Sequence, residues 1–314
     1  MRVAIIRTAN GALNPEKYNV QEIGLGASLL NHGLSVDIYS QFQAVEGITV
    51  LNNLKNNQLR LIPIEGYTFK QLTYYPGLIK RIESQNYDVV QVHEESQLMN
   101  PLILSSLKKN GVKTVLYQGM YKNYSGFGSV YQRIFHLLYQ QKLLKNTDIA
   151  FAKTSLAKAY LSNMGFKKIE LLPVGLDFPD KSDASNIEDR VVNFRNKFDR
   201  LLLYIGVLEE RRDICLLLNV LRRVVDELGE LSIGLIIVGK GPNLAKVKRK
   251  VNYLSLEEHV LNISSIPNNQ IGELYKISDL FLLPSHYEIF GMVLLESLYH
   301  GTPIISSKTA GPLD

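Results

Sequence analysis

The sequence predicts an α/β protein of two doubly wound domains, and three observations carry that expectation. Short apolar runs at 3–6, 89–92, 201–206 and 280–283, rich in Val, Ile and Leu, have the length and composition of strands buried on both faces of a parallel sheet. Stretches of helical period alternate with them, which is the pattern of strand, helix, strand units. The alternation runs twice, interrupted by the polar stretch 180–189, so the boundaries are a first domain at 1–178, a linker at 179–199 and a second domain at 200–314. With 314 residues, 46% of them hydrophobic, the chain is long enough to bury two ordinary cores.

In the first domain a strand at 2–6 leads through Asn10, Gly11 and Ala12 to a helix at 20–32, which Gly33 stops before a strand at 35–39. The loop lacks a Gly-x-Gly-x-x-Gly fingerprint, so it gives no support to dinucleotide binding. Gly11 is its residue best suited to close approach of a ligand, although an ordinary turn needs a glycine as well. Strands follow at 50–51, 59–63, 89–92 and 115–117, with helices at 75–85 and 101–110 between them. Two strand ends carry polar groups: His93-Glu94-Glu95-Ser96 and Gln118-Gly119-Met120-Tyr121. Both open toward the rim where α/β sheets bind ligands. A helix at 130–145 with Phe135, Leu137, Leu138, Leu143 and Leu144 is amphipathic and cationic, and reads equally as a membrane-surface element or as an ordinary helix packed on the core. A strand at 148–152, a helix ending at Gly165 and a strand at 169–172 close the domain.

The second domain follows a helical stretch at 190–199. Its strands are expected at 201–206, 234–238, 260–263, 280–283 and 304–306, and its helices at 214–228, 243–254, 269–277 and from about Gly291 to His300. Gly301 fits a left-handed helix stop, and Pro303 prevents continuation. Glu288 precedes that last helix and Glu296 lies about one and a half turns inside it, so both can face one site. The amides of Phe290, Gly291 and Met292 are unpaired donors of a helix start and suit a phosphate. A phosphate between two carboxylates suggests a nucleotide-sugar.

Charge and cysteine content narrow the class. The net charge of +5 is uneven: residues 1–178 hold 19 Lys and Arg against 12 Asp and Glu, and the remainder 16 against 18. Residues 105–169 contain eleven basic side chains and a single acid, Asp148. Such a face attracts anions, or simply keeps the protein soluble. The lone cysteine, Cys215, forms no internal disulfide, which fits a reducing compartment. No apolar stretch approaches the roughly 20 residues of a membrane span. No Asp-x-Asp and no metal-ligand spacing of His or Cys occurs, so neither a metal nor a cofactor is expected.

The motifs Glu-Ile-Phe-Gly at 288–291, Leu-Leu-Glu-Ser-Leu at 294–298 and Gly-Thr-Pro-Ile-Ile at 301–305 resemble the donor-site signature of the retaining family-four glycosyltransferases, which have the GT-B fold of two Rossmann-like domains facing across a cleft. The segments around Gly206, the Gly239-Lys-Gly-Pro turn and 271–279 resemble the family in order and spacing as well. The resemblance implies that Glu296 holds the nucleotide ribose and that Glu288 meets hydroxyls of the transferred sugar. The family places a cation pair for the diphosphate in the second domain's first loop. Here Val207 occupies the first position, which leaves Arg211 and Arg212 to meet that charge. Where the family often has a donor-contacting His, Gln118 stands, with His93 as a replacement.

The implied activity is metal-independent, retaining hexosyl transfer from a nucleotide-diphosphate donor to a sugar or lipid-linked acceptor, in cell-surface polysaccharide or glycolipid synthesis. The expected setting is the cytoplasm, at the inner face of an anionic membrane, without nucleic acid as a partner. The same fold also serves sugar-nucleotide epimerases, phosphorylases and non-catalytic partner subunits, and Val207 and Gln118 keep the last of these open. Because the family continues past the position of Ala310-Gly311-Pro312-Leu313-Asp314 with further helices, the second domain is expected to be incomplete.

Overall fold

The computed structural model describes residues 1–314 except 16–19, 44, 70–71, 177–187 and 229–231. The chain divides into two compact units, Met1–Asp177 and Phe178–Asp314. Much of the polar linker expected at 179–199 lies outside the described residues; its last part contains a short helix.

The first unit runs β1 (Arg2–Ile6), α1 (Gln21–Asn31), β2 (Ser35–Ser40), β3 (Thr49–Leu54), β4 (Asn57–Pro63), β5 (Tyr67–Phe69), β6 (Leu72–Tyr74), α2 (Leu78–Glu83), β7 (Val89–His93), α3 (Asn100–Lys109), β8 (Lys113–Gln118), α4 (Phe127–Asn146), β9 (Ile149–Ala152), α5 (Ser155–Asn163) and β10 (Ile169–Leu171). Its eight-stranded sheet has the order β10-β9-β8-β7-β1-β2-β4-β3. Every described pairing is parallel except β3 on β4. That antiparallel edge corrects the expectation of a purely parallel sheet. Lys55, at φ 55°, turns the chain within two residues, and so short a connection can join only antiparallel strands. The separate hairpin of β5 and β6 was also not expected, because strands of three residues carry too little periodicity to be read.

The second unit runs α6 (Asp189–Arg195), β11 (Arg200–Ile205), a 3-10 turn (Glu210–Arg212), α7 (Ile214–Leu228), β12 (Ile233–Val238), α8 (Leu244–Tyr253), β13 (Val260–Ile263), α9 (Asn268–Ile277), β14 (Leu280–Leu283), α10 (Met292–Tyr299), β15 (Ile304–Ser306) and α11 (Ala310–Leu313). Its five strands are parallel, in the order β13-β12-β11-β14-β15. All six residues of β12 are buried, as a central strand covered by helices on both faces requires. Tyr204, Tyr275 and Phe281 are the largest side chains fully enclosed in this core.

Each sheet reverses its strand order once, at β1 between β2 and β7 and at β11 between β12 and β14. Loops leaving the carboxyl ends of adjacent strands diverge there, and the crevice they leave is where such sheets bind ligands. In the second unit the diverging loops are 206–213 and 284–291.

Glycines hold the first of these loops against its neighbour. Leu208 N donates to Lys240 O at 3.1 Å, and Asn243 N donates to Leu208 O at 2.9 Å. At Gly239, where φ is 148°, a Cβ would collide with the Gly206 carbonyl oxygen, and one at Gly241 would collide with that of Leu208. Gly33 also has a positive φ, 81°, but its Cβ would meet open space. Gly239→Ala is therefore expected to destabilise the second unit by about 1–3 kcal/mol, and Gly33→Ala to cost the first only about 1 kcal/mol, in denaturant unfolding of each variant.

Candidate functional site

The crevice of the second unit brings Arg211, Arg212 and Glu288 together. The 3-10 turn ends at Asp213, which adopts a left-handed φ of 42°, and so aims both arginines across at the loop after β14. Arg212 Nη1 bonds the Glu288 carboxylate and donates to Ser285 Oγ at 3.1 Å. Arg211 Nη1 donates to Tyr287 O at 2.8 Å and stands 3.9 Å from Glu288 Oε2, while its Nε pairs with Glu209 Oε1 at 2.7 Å. Backbone joins the two loops as well, His286 N donating to Arg211 O at 2.8 Å. The carboxylate expected to meet sugar hydroxyls and the guanidinium expected to meet the diphosphate are thus bonded to each other. Glu288 is buried, and the arginine compensates the cost of its charge. Arg212 Nε is also buried, without a hydrogen-bond partner among the described residues.

Gly291 takes a left-handed conformation, φ 82°, as the residue before α10, and no side chain caps the helix start. The loop is fixed from behind by Gly311, whose hydrogen faces the Phe290 carbonyl where any Cβ would collide. The amides from Phe290 to Met292 begin a helix next to Glu288, so this end offers partial positive charge to an anion.

Glu296 lies one turn further into α10. Its Oε2 accepts from Tyr275 OH on α9 at 3.0 Å, and the same hydroxyl reaches Val293 O at 3.2 Å. Among the described residues Glu296 forms no ion pair. Burial raises its pKa above the ordinary 4.5, and the Tyr275 bond offsets only part of that rise.

The first unit's crevice holds His93 and Gly11. Gly11, with φ 106°, has open space around its Cβ direction, and its carbonyl accepts from Arg7 Nη1 at 2.7 Å. His93 Nδ1 lies 3.3 Å from Glu22 Oε1 at the start of α1, and its Nε2 lies 2.9 Å from Gln91 Nε2. Both ring nitrogens are engaged, so a sugar hydroxyl would have to displace one of these partners. Burial alone would raise the pKa of Glu22, but the bond and charge of His93 outweigh it and bring the carboxyl to about 2. Glu22 and His93 line a cavity of about 290 Å³ together with Tyr117 and residues 172–176. Gln118 is wholly buried and spent on backbone: it accepts from Glu95 N at 2.9 Å and donates to Met120 O at 3.0 Å. Glu94 caps the same loop by accepting from Gly119 N and Met120 N, each at 3.1 Å.

Sequence reading did not single out Glu22, Ser285 or Tyr275. Glu22 stood in an ordinary helix start, and Tyr275 lies 21 residues before the carboxylate it bonds. Cys215 is half-buried on α7. Among the described residues no group of three or more His, Cys, Asp or Glu side chains is placed to hold a metal ion.

The raised pKa of Glu296 has a measurable sign. Above pH 4.5 the unfolded chain has released this proton while the folded chain still holds it, so stability falls as pH rises through the interval up to the folded value. Glu296→Gln removes the penalty of the buried charge. It is expected to raise the melting temperature of the ligand-free protein at neutral pH and to flatten its decline above pH 4.5, as thermal unfolding at several pH values would record.

Residues 185–314 match the family Glycosyl transferases group 1, across nearly the whole second unit. An uncharacterized glycosyltransferase of Methanocaldococcus jannaschii is 21% identical over 315 residues, covering 93% of this chain and 76% of its own length. The alpha-monoglucosyldiacylglycerol synthase of Streptococcus pneumoniae is 22% identical over 311 residues, covering 93% of this chain and 69% of its own. Among solved structures, sucrose-phosphate synthase from Thermosynechococcus elongatus superposes with a TM-score of 0.72 at 18% identity, over 99% of this chain and 82% of that one. Anabaena HepE in complex with UDP-glucose does so with a TM-score of 0.68 at 14% identity, over 100% and 82%. At these identities the structures show the fold, which is GT-B. The chain thus has the GT-B fold, and its residues 185–314 match the group 1 glycosyl transferases.

Proposed function

We propose that the chain transfers a sugar, with retention at its anomeric carbon, from a nucleoside diphosphate donor held in the crevice of the second unit. The observation that carries this reading is Arg212. A buried guanidinium nitrogen without an acceptor costs about 1–3 kcal/mol, and a phosphate oxygen would satisfy it. The start of α10 next to it supplies amides for the same anion. That HepE binds UDP-glucose in a related fold supports a nucleotide-sugar as the donor class.

Glu288 and Arg212 divide the work when donor arrives. The diphosphate gives Arg212 a doubly charged partner, and Glu288, released in part, turns its oxygens to the sugar hydroxyls. A planar guanidinium can bind two phosphate oxygens at once, which lets Arg212 stand in for the cation absent at Val207. Arg211 adds a second positive charge while bracing Tyr287. Glu296, which pairs with no cation among the described residues, accepts from the ribose hydroxyls.

In the transfer the bond between the sugar's anomeric carbon and the phosphate oxygen breaks while the acceptor oxygen bonds that carbon from the same face. The acceptor's proton passes to the departing phosphate oxygen. Charge develops on the leaving diphosphate, where Arg212, Arg211 and the α10 amides meet it, so these groups lower the barrier without a metal or a protein base. For the acceptor, the basic first unit and the likeness to a synthase named for a glucosylated diacylglycerol support a lipid-linked hydroxyl in glycolipid or surface-polysaccharide synthesis.

The test is a screen of nucleotide-sugars, UDP-glucose first, for thermal stabilisation and hydrolysis, since a bound ligand stabilises by mass action. Arg212→Ala is expected to lower turnover more than tenfold, which is more than about 1.4 kcal/mol in the barrier. Val207 is exposed, so Val207→Arg fits without repacking and should raise donor affinity. Unchanged donor affinity in both Arg211→Ala and Arg212→Ala would refute this phosphate site.

A further inference from the structure

Helix α4 leaves an apolar face in solvent. Its inward face mixes polar and apolar groups: Gln132 Nε2 donates to Glu95 Oε1 at 3.0 Å and His136 Nε2 lies 3.3 Å from Glu95 Oε2, with Phe135 and Leu143 buried beside them. The outward face carries Phe127, Val130, Ile134, Leu137 and Leu138, of which Phe127 is 94% and Leu137 85% exposed. At about 100° per residue these five share an arc roughly 100° wide, the width of stripe that an amphipathic helix normally buries. Leaving such a stripe in water forfeits the burial that drives folding, and patches of this kind mark interaction sites.

The charges around the stripe identify what covers it. Arg133 lies along one edge and Lys142 along the other; Lys145 continues the stripe toward the helix end, and Lys122 precedes it. All are basic. The one acid within 105–169, Asp148, is bonded to Lys108 and to Thr114. An apolar stripe with basic margins matches a surface whose interior is hydrocarbon and whose headgroups are anionic. No helix among the described residues is long and apolar enough to cross a membrane, so α4 would lie in the plane of one.

We infer that the outer face of α4 docks the protein on an anionic phospholipid surface, with Phe127, Val130, Ile134, Leu137 and Leu138 entering the acyl boundary and Arg133, Lys142 and Lys145 meeting headgroup phosphates. The inference concerns the first unit alone and does not rest on the donor site. It corrects the expectation that Leu137 and Leu138 serve the core as readily as a membrane. The two leucines face solvent, whereas Phe135 and Leu143 are the pair that pack inward.

The experiment is co-sedimentation of the whole chain with vesicles of phosphatidylcholine, with and without phosphatidylglycerol. Binding is expected to need the anionic lipid and to weaken as salt rises, because added ions screen the headgroups. Leu137→Glu and Phe127→Asp, both at exposed positions, should each reduce vesicle binding more than tenfold, and Arg133→Glu with Lys142→Glu should abolish the preference for anionic vesicles. Thermal stabilisation by UDP-glucose should stay unchanged in all of them, which separates failure of this surface from failure of the donor site. Equal binding of wild type and Leu137→Glu would overturn the inference. So would a dimer of the wild-type chain, seen by analytical ultracentrifugation, that Leu137→Glu dissolves without affecting vesicle binding, since the occupant would then be a second copy.

Discussion

The second unit's site depends on the pairing of Arg212 with Glu288 across the reversal of its sheet. A carboxylate as buried as Glu288 must be compensated, and only the neighbouring strand's loop can reach it, because the two loops diverge from β11 and β14 side by side. That pair joins both loops, helped by Arg211 on the Tyr287 carbonyl, Arg212 on Ser285 and the His286 amide on the Arg211 carbonyl. Under the proposed donor binding, each partner is already desolvated before any ligand arrives, so little reorganisation would remain.

Glycine serves the same site by bringing backbones together. Gly239 and Gly241 let one turn press on the chain at Gly206 and Leu208, and Gly311 lets α11 press on Phe290. These contacts leave no room for side chains and pack the chain near Arg212 and Glu288 closely against its neighbours. Tyr275 plays the corresponding part for Glu296. It is fully buried, stacked on His300 at 5.7 Å between ring centres, and presents one hydroxyl at a fixed height.

In the first unit Asp37 is compensated by Arg60 and Arg2 as Glu288 is by Arg212, but the acids near the strand ends are handled differently. Glu22 is paired with His93, whereas Glu94 and Glu95 are satisfied by hydrogen bonds from loop amides and from Gln132, Tyr160 and His136. For Glu94 the burial still raises its pKa, since two amides do not replace full hydration. Gln118 and Asn100 complete these networks without charge, Asn100 donating to the carbonyls of both His93 and Glu94. The polar strand ends of this unit are therefore bound largely to one another, and the contrast with the unpartnered Arg212 Nε is the reason the donor reading rests on the second unit.

The sequence by itself determined the parallel strands, most helices to within a few residues, and the positions of Gly291, Gly301, Glu288 and Glu296 around α10. Those features follow from local rules: apolar runs of strand length, glycine where φ is positive, proline where a helix cannot continue. Tertiary structure alone decided what each charged group touches. That Arg212 bonds Glu288, 76 residues away, that Tyr275 bonds Glu296, and that both nitrogens of His93 are occupied depend on how strands separated in sequence become neighbours in a sheet. The orientation of α4 was beyond local reading for the same reason. Its apolar residues occur on two faces, and the partners around Glu95 together with the buried Phe135 and Leu143 turn one face inward, leaving Leu137 and Leu138 in solvent.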